Sequence, residues 1–232
     1  MTQSTRSDWE RLNHEIETCR LCPRLVAWRE QVAKQKRRAF TDWPYWGKPV
    51  SGFGDPQARL CIIGLAPAAH GANRTGRMFS GDSSARTLIP VLYRAGFANQ
   101  PNSDHRQDGL QLDDAFLTAV VRCAPPKNRP SGDEKSNCLP FLARELRLLN
   151  NVRVVLALGK IAFDGYRRLL RQAGSRIPTL VFFHGACYTL QPPLPMLMIS
   201  YHPSRQNTNT GRLTDAMLDD VFHQIGALLA QA

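Results

Sequence analysis

The sequence predicts an α/β fold: a three-layer α/β/α sandwich around a central four-stranded parallel sheet. Three observations carry this. Four short, nearly unbroken apolar runs read as strands covered on both faces, as in a parallel sheet. Helical patterns lie between them, so strand and helix alternate. Three of the runs end in loops rich in glycine, proline, histidine or cysteine, and in such folds ligands bind at the carboxyl ends of the strands.

The elements follow in order. A helical segment over about residues 1–36 comes first and carries two cysteines. The strands are predicted at residues 60–65, 116–122, 152–158 and 196–201. A helix over 84–95 aligns Leu88, Val91, Leu92 and Ala95 and stops at Gly96; Pro90 inside it predicts a late start or a kink. A helix over 139–149 sets Leu142, Leu146 and Leu149 on one stripe. The next, over 160–173, ends at Gly174 with Arg167, Arg168 and Arg171 in its last turns, where cations suit the helix dipole. The last, over 214–229, spaces Met217, Val221, Ile225 and Leu228 along one face. Residues 37–56 break the alternation with Trp43, Pro44, Tyr45, Trp46, Gly47, Gly52, Phe53 and Gly54. They read as a hydrophobic clip between the N-terminal helix and the sheet, the alternative being a packed loop that reaches the functional site.

At 232 residues the chain suits a single domain over 1–232. With 43% hydrophobic and 21% charged residues it excludes long-range disorder. Apolar runs such as 154–158 and 196–199 are too short to span a bilayer, and the polar residues 1–10 lack the apolar core of a signal peptide. The expectation is a soluble, cytoplasmic monomer with no membrane partner. Thirty Lys and Arg against nineteen Asp and Glu give a net charge of +11, which points to an anionic partner. Nucleic acid is the commonest, because cations gain affinity by releasing phosphate counterions.

Six cysteines without a secretory signal argue for metal binding or plain burial rather than disulfides. Cys19 and Cys22 form a C-x2-C pair; Cys123 and Cys138 are separated by fourteen residues, in a loop that leaves a strand and enters a helix. Four thiolates could bind zinc or an iron–sulfur cluster. The wide second pair and the proline after Cys22 favour the cluster. Cys61 and Cys187 read as small buried hydrophobes.

Two loops carry candidate chemistry. The glycine-rich stretch from Gly64 to Asp82 has neither a Gly-Lys-Ser/Thr nor a G-x-G-x-x-G pattern, so it fits neither a P-loop nor a dinucleotide site. Its small residues allow backbone approach to a planar ligand, Phe79 offers a stacking face, and Asp82 sets a carboxylate where a helix begins; alone, Asp82 reads as a helix cap rather than a catalyst. The second loop, His202-Pro-Ser-Arg-Gln-Asn, leaves the fourth strand and offers a hydrogen-bond donor.

Together these segments resemble the uracil-DNA glycosylase superfamily, specifically its iron–sulfur branch known as family 5 or type-b. The resemblance rests on Gly64-Leu-Ala-Pro with His70-Gly-Ala-Asn-Arg-Thr-Gly-Arg and Phe79-Ser-Gly-Asp82, on Arg122-Cys-Ala-Pro-Pro-Lys-Asn128, and on Tyr201-His-Pro-Ser with Thr210-Gly-Arg-Leu-Thr214. The four cysteines also match, and the likeness runs from about Cys19 to Phe222. Leu65 stands where the family 4 branch carries a Glu, and Met78 where many relatives have proline.

The resemblance implies a monofunctional enzyme that flips uracil, and other deaminated bases such as hypoxanthine, out of DNA and hydrolyses the N-glycosidic bond. Asp82, His202 and Asn128 would be catalytic: Asp82 orienting water, His202 stabilising the departing base anion, Asn128 reading a base edge or holding the water. Gly64, Leu65, Ala66, His70 and Phe79 would line the base pocket. Arg77, Ser204, Arg205 and Arg212 would contact DNA, and Leu213 would wedge into the vacated stack. Cys19, Cys22, Cys123 and Cys138 would hold a structural 4Fe-4S cluster in the loop that presents Asn128. DNA binding would place the protein at the nucleoid. A non-catalytic iron–sulfur DNA-binding module is the alternative.

Overall fold

The structure is a computed structural model that describes residues 3–231. Its elements are α1 (Gln3–Thr18), α2 (Pro23–Gln35), β1 (Phe53–Gly54), β2 (Leu60–Gly64), α3 (Ala72–Thr75), α4 (Ser83–Arg94), β3 (Ala115–Ala119), α5 (Gly132–Leu148), β4 (Val154–Leu158), α6 (Lys160–Gln172), β5 (Cys187–Tyr188), β6 (Met196–Ser200), α7 (Arg205–Asn209) and α8 (Asp215–Ala230), with 3-10 turns at Arg38–Phe40 and Pro126–Asn128.

The six strands form one sheet in the order β1-β3-β2-β4-β6-β5. The four predicted strands are its parallel centre, while β1 and β5 pair antiparallel at the two edges. The sheet is therefore mixed and six-stranded, not four-stranded. Each edge strand is two residues long, too short to leave an apolar run in the sequence, and pairing with a neighbour alone creates it.

The pleat divides the strand residues between two cores. Leu60 and Ile62 face one core with Leu88, Ile89 and Leu92 of α4 and Leu218, Phe222 and Ile225 of α8. Cys61 and Ile63 face the other with Leu12, Leu25, Leu142 and Phe163 from α1, α2, α5 and α6. The apolar runs are continuous because both faces are covered. Cys61 is fully buried as expected, whereas Cys187, predicted to be buried, is exposed on the edge strand.

Helix boundaries follow their caps. Asp82 accepts a hydrogen bond from the Ala85 amide and starts α4 at Ser83; the helix then runs through Pro90 without the late start the proline predicted. α5 begins at Gly132, seven residues before the expected stripe, because Ser131 and Glu134 form a capping box. Among the described residues no helix is long and apolar enough to cross a membrane.

The register places the site. Gly64 pairs with Ala119 and Leu158 with Ser200, so the central strands end together. The loops after β2, β3, β4 and β6 leave from one edge.

Candidate active site and cysteine pocket

Phe79 and His202 meet at that edge, their rings stacked at 28° with centroids 6.5 Å apart. Two glycines make the approach possible. A β-carbon on Gly64 would lie 2.8 Å from Phe79 Cζ, and one on Gly159, directly after β4, would lie 3.0 Å from His202 Cβ. Phe79 holds φ at +49°, a left-handed conformation that costs a bulky residue about 1–3 kcal/mol and that concentrates at functional sites. Among the described residues no side chain or backbone group hydrogen-bonds the His202 imidazole. Burial pushes its pKa down to about 4, so it is a neutral ring at physiological pH.

Asp82 lies three residues beyond Phe79 on the same loop. It packs so closely on Gly71 that a β-carbon there would lie 2.3 Å from Asp82 Oδ2. Burial raises its carboxyl above the usual range, against the backbone N–H groups of Ala85 and Ser84 and the cations Arg86 and Arg74. The structure thus shows Asp82 as the cap of α4.

Arg74, which sequence reasoning left without a role, organises this loop. Its Nε donates to the His70 carbonyl at 2.9 Å and its Nη2 to the Gly81 carbonyl at 3.0 Å, clasping the two ends of the stretch. Its guanidinium lies 4.0 Å from the ring centres of both Phe40 and Trp43. The amides of Trp46 and Gly47 donate to Arg74 and Asn73 carbonyls, and Tyr45 Oη sits 2.9 Å from His70 Nδ1. The aromatic stretch of residues 37–56 thus packs against the loop after β2. Its signal in the sequence was the density of rings beside basic residues; Gly71 and Gly159 left none beyond being glycines near strand ends.

The other candidates divide. Gly64 is buried, and Leu65, Ala66 and His70 are half-buried on the loop after β2; the Gly64 and Leu65 carbonyls accept from the Val120 and Val121 amides, tying that loop to β3. Asn128 is exposed on a 3-10 turn with φ +55°, next to Lys127 at +53°. Ser204 caps α7 by accepting from the Asn207 amide, and Arg205 and Arg212 are exposed, the latter 4.6 Å over the Tyr201 ring.

Two expectations fail. Arg77 is 4% exposed and makes a two-pronged pair with Asp108 at 2.7 and 2.6 Å plus a bond to Ser103, so its charge is spent inside the protein and cannot grip a phosphate. Leu213 is 1% exposed and packs in the α4–α8 core, so it cannot wedge into DNA; an apolar residue between Arg212 and Thr214 reads the same whether it faces in or out.

Cys19, Cys22, Cys123 and Cys138 line one pocket, walled by Leu25, Val26 and Phe141. Three sulfurs receive N–H groups: Cys123 from Arg29 Nη1 at 3.2 Å, Cys138 from the Arg122 amide at 3.4 Å and Cys22 from Asn137 at 3.6 Å. Burial pushes the Cys123 thiol up to about 12 and the Cys138 thiol up to about 11. Among the described residues no three of His, Cys, Asp and Glu are grouped to share one metal ion. A four-iron cluster holds its cysteines farther apart than a single ion does, and four thiols round one enclosed, apolar pocket with N–H donors to sulfur fit such a group.

The family model described as uracil DNA glycosylase superfamily matches residues 51–226. The chain is 53% identical over 212 residues to a type-5 uracil-DNA glycosylase of Mycobacterium leprae, covering 91% of each chain. It is 51% identical over 215 residues to one from Thermus thermophilus, covering 93% of this chain and 95% of the relative. A type-4 uracil-DNA glycosylase of Pyrobaculum aerophilum is 29% identical over 200 residues, 85% of this chain and 83% of that one.

Proposed function

This chain belongs to the uracil DNA glycosylase superfamily, and from that premise we propose how its own residues excise uracil from DNA. It is a hydrolytic DNA glycosylase. The observation that supports the mechanism is the stacking of Phe79 on His202 at the carboxyl edge of the sheet, with Asp82 three residues beyond Phe79 on the same loop.

The reacting C1′ is buried in a duplex, so the nucleotide must leave the stack, at a cost of a few kcal/mol. Phe79 returns about 1–3 kcal/mol by stacking on the extruded base. The bond to the base then breaks with its electrons going to uracil, while the sugar becomes oxocarbenium-like. His202 donates a neutral N–H to the forming anion at O2. A neutral imidazole suits this role, because it stabilises the anion without transferring its proton. One such preorganised donor is worth about 2.7–4 kcal/mol. Asp82, held by α4 through one oxygen, turns the other to a water for attack on C1′ and opposes the sugar's positive charge. Asn128 reaches the base edge or the water from its strained turn. Gly64, Leu65, Ala66 and His70 form the wall of the base pocket. Arg205, Arg212 and the Ser204 cap contact the phosphates. Hypoxanthine and other deaminated bases are accepted as well, because no side chain named here is specific to uracil.

Cys19, Cys22, Cys123 and Cys138 would hold a structural 4Fe-4S cluster, with ligands from the α1–α2 turn, the loop after β3 that bears Asn128, and α5. The protein works as a single domain, a monomer, in the cytoplasm at the nucleoid.

Incubation with uracil-containing duplex should give alkali-labile breaks, and His202→Ala should lose release by about a hundredfold or more while folding normally. DNA binding without breaks by the wild type would replace the enzyme with a binding module.

A further inference from the structure

Burial of Leu213 leaves the stack-filling role without a residue, and the fold offers another at the same edge. The segment between α6 and β5 ends in a turn in which the Ala186 amide donates to the Phe183 carbonyl at 3.4 Å, with Gly185 at φ +77° supplying the left-handed position. The turn is pinned on both sides. Tyr188 Oη accepts from the Val181 amide at 3.0 Å and donates to its carbonyl at 2.9 Å, and the Gly185 amide donates to Ile199 at 2.8 Å. Phe182 points in, 6.0 Å from Tyr201 and 5.7 Å from Phe163, and His184 stacks on Tyr201 at 5.2 Å. Phe183 and Val181 alternate with these and stand 52% and 58% exposed.

A large exposed aromatic on a rigid turn would ordinarily be a liability. Its surroundings say what covers it. Tyr201, the ring both neighbours hold, precedes His202 and also lies 4.6 Å from the Arg212 guanidinium, so the turn is continuous with the proposed DNA surface. Exposed Arg205 and Arg212 stand on the segment that follows Tyr201, in a chain of net charge +11. A polyanion with an apolar interior satisfies both features at once: phosphates for the arginines, stacked bases for the ring.

We propose that Phe183 is the wedge: it enters the base stack at the gap left by the extruded nucleotide, with Val181 packing beside it. Apolar side chains used this way separate neighbouring bases and keep the flipped nucleotide from returning. This rests on the glycosylase reading above, and the test separates the two.

The measurement is kcat/KM for uracil release from a duplex in which uracil faces adenine and from the same strand alone. Only the duplex has a hole to fill. Phe183→Ala should lower the duplex-to-single-strand ratio by about tenfold or more, and Phe183→Leu should restore most of it. A 2-aminopurine placed beside the uracil should brighten on binding of wild type and far less with Phe183→Ala. A ratio unchanged in Phe183→Ala overturns the wedge while leaving the glycosylase intact. An equal loss on both substrates also overturns it, since that would mark an effect on the base pocket. Failure of the wild type to release uracil from either strand form sinks the glycosylase reading itself.

Discussion

Gly71 and Asp82 are locked together: there is no room for a methyl group between the glycine and the carboxylate, whose Oδ2 would lie 2.3 Å from it. Any β-carbon on Gly71 would collide with the carboxylate, so glycine is required there by space. Gly71→Ala should therefore push the carboxylate aside and slow uracil release by about a hundredfold, the scale of a misplacement of about an ångström. Single-turnover excision beside thermal melting checks it; release at the wild-type rate would remove Asp82 from the mechanism.

Asp82→Asn separates the cap from the charge. Asparagine caps a helix as well as aspartate, so stability should change by less than about 0.5 kcal/mol. Excision should fall by about a hundredfold or more, because the base is gone. A variant that melts early but turns over normally would make Asp82 a cap alone.

The pH profile should carry no limb near the ordinary histidine value. Burial holds His202 at about 4, so it stays a neutral donor through the physiological range, and the acid limb belongs to Asp82, whose carboxyl burial raises. The stability sign is also fixed. Between about 6.5 and 4 the unfolded His202 binds a proton that the folded one refuses, so its contribution to stability is lost as pH falls through that window. An inflection near 6.5 that disappears in His202→Gln would show a protonated imidazole instead.

Arg77→Met should damage folding rather than DNA binding. Burial would push Asp108 up, but Arg77 and the amides of Leu110, Asp104 and His105 hold its carboxyl well below the usual range. Removing the guanidinium strands a buried charge, at about 3–5 kcal/mol. Denaturant melts should show that loss, while the salt dependence of DNA affinity stays as in wild type. Arg205→Ala and Arg212→Ala should do the reverse, each lowering the salt slope by about one.

Iron removal tests the cysteine pocket. Purified protein should absorb broadly near about 400 nm. Chelation under oxidising conditions should bleach that band and lower the melting temperature. Cys138→Ser should do the same from the outset, whereas Cys187→Ser, on the exposed edge strand, should do neither.

The motif residues were legible because chemistry constrains them locally. Phe79 and His202 each lie on a loop that follows a strand, and a parallel sheet brings strand ends together whatever the intervening sequence. Partners supplied by space alone were not legible: Gly71 and Gly159 matter for what they lack, and Arg74 for the rings folded round it. The failures have the same root. Arg77 and Leu213 stand in the right motifs, but side-chain direction there is set by Asp108 and by the α4–α8 core.

By itself, then, the sequence determined the alternation of strand and helix, the four central strands, the chemical types brought to the carboxyl edge and the four-cysteine set, because periodicity and loop composition are properties of neighbours along the chain. The tertiary structure alone decided which arginine faces solvent, which apolar side chain stands free at the edge, and where two-residue strands complete the sheet. Those outcomes depend on contacts between residues far apart in sequence, and burial is settled only when both sides of a contact are in place.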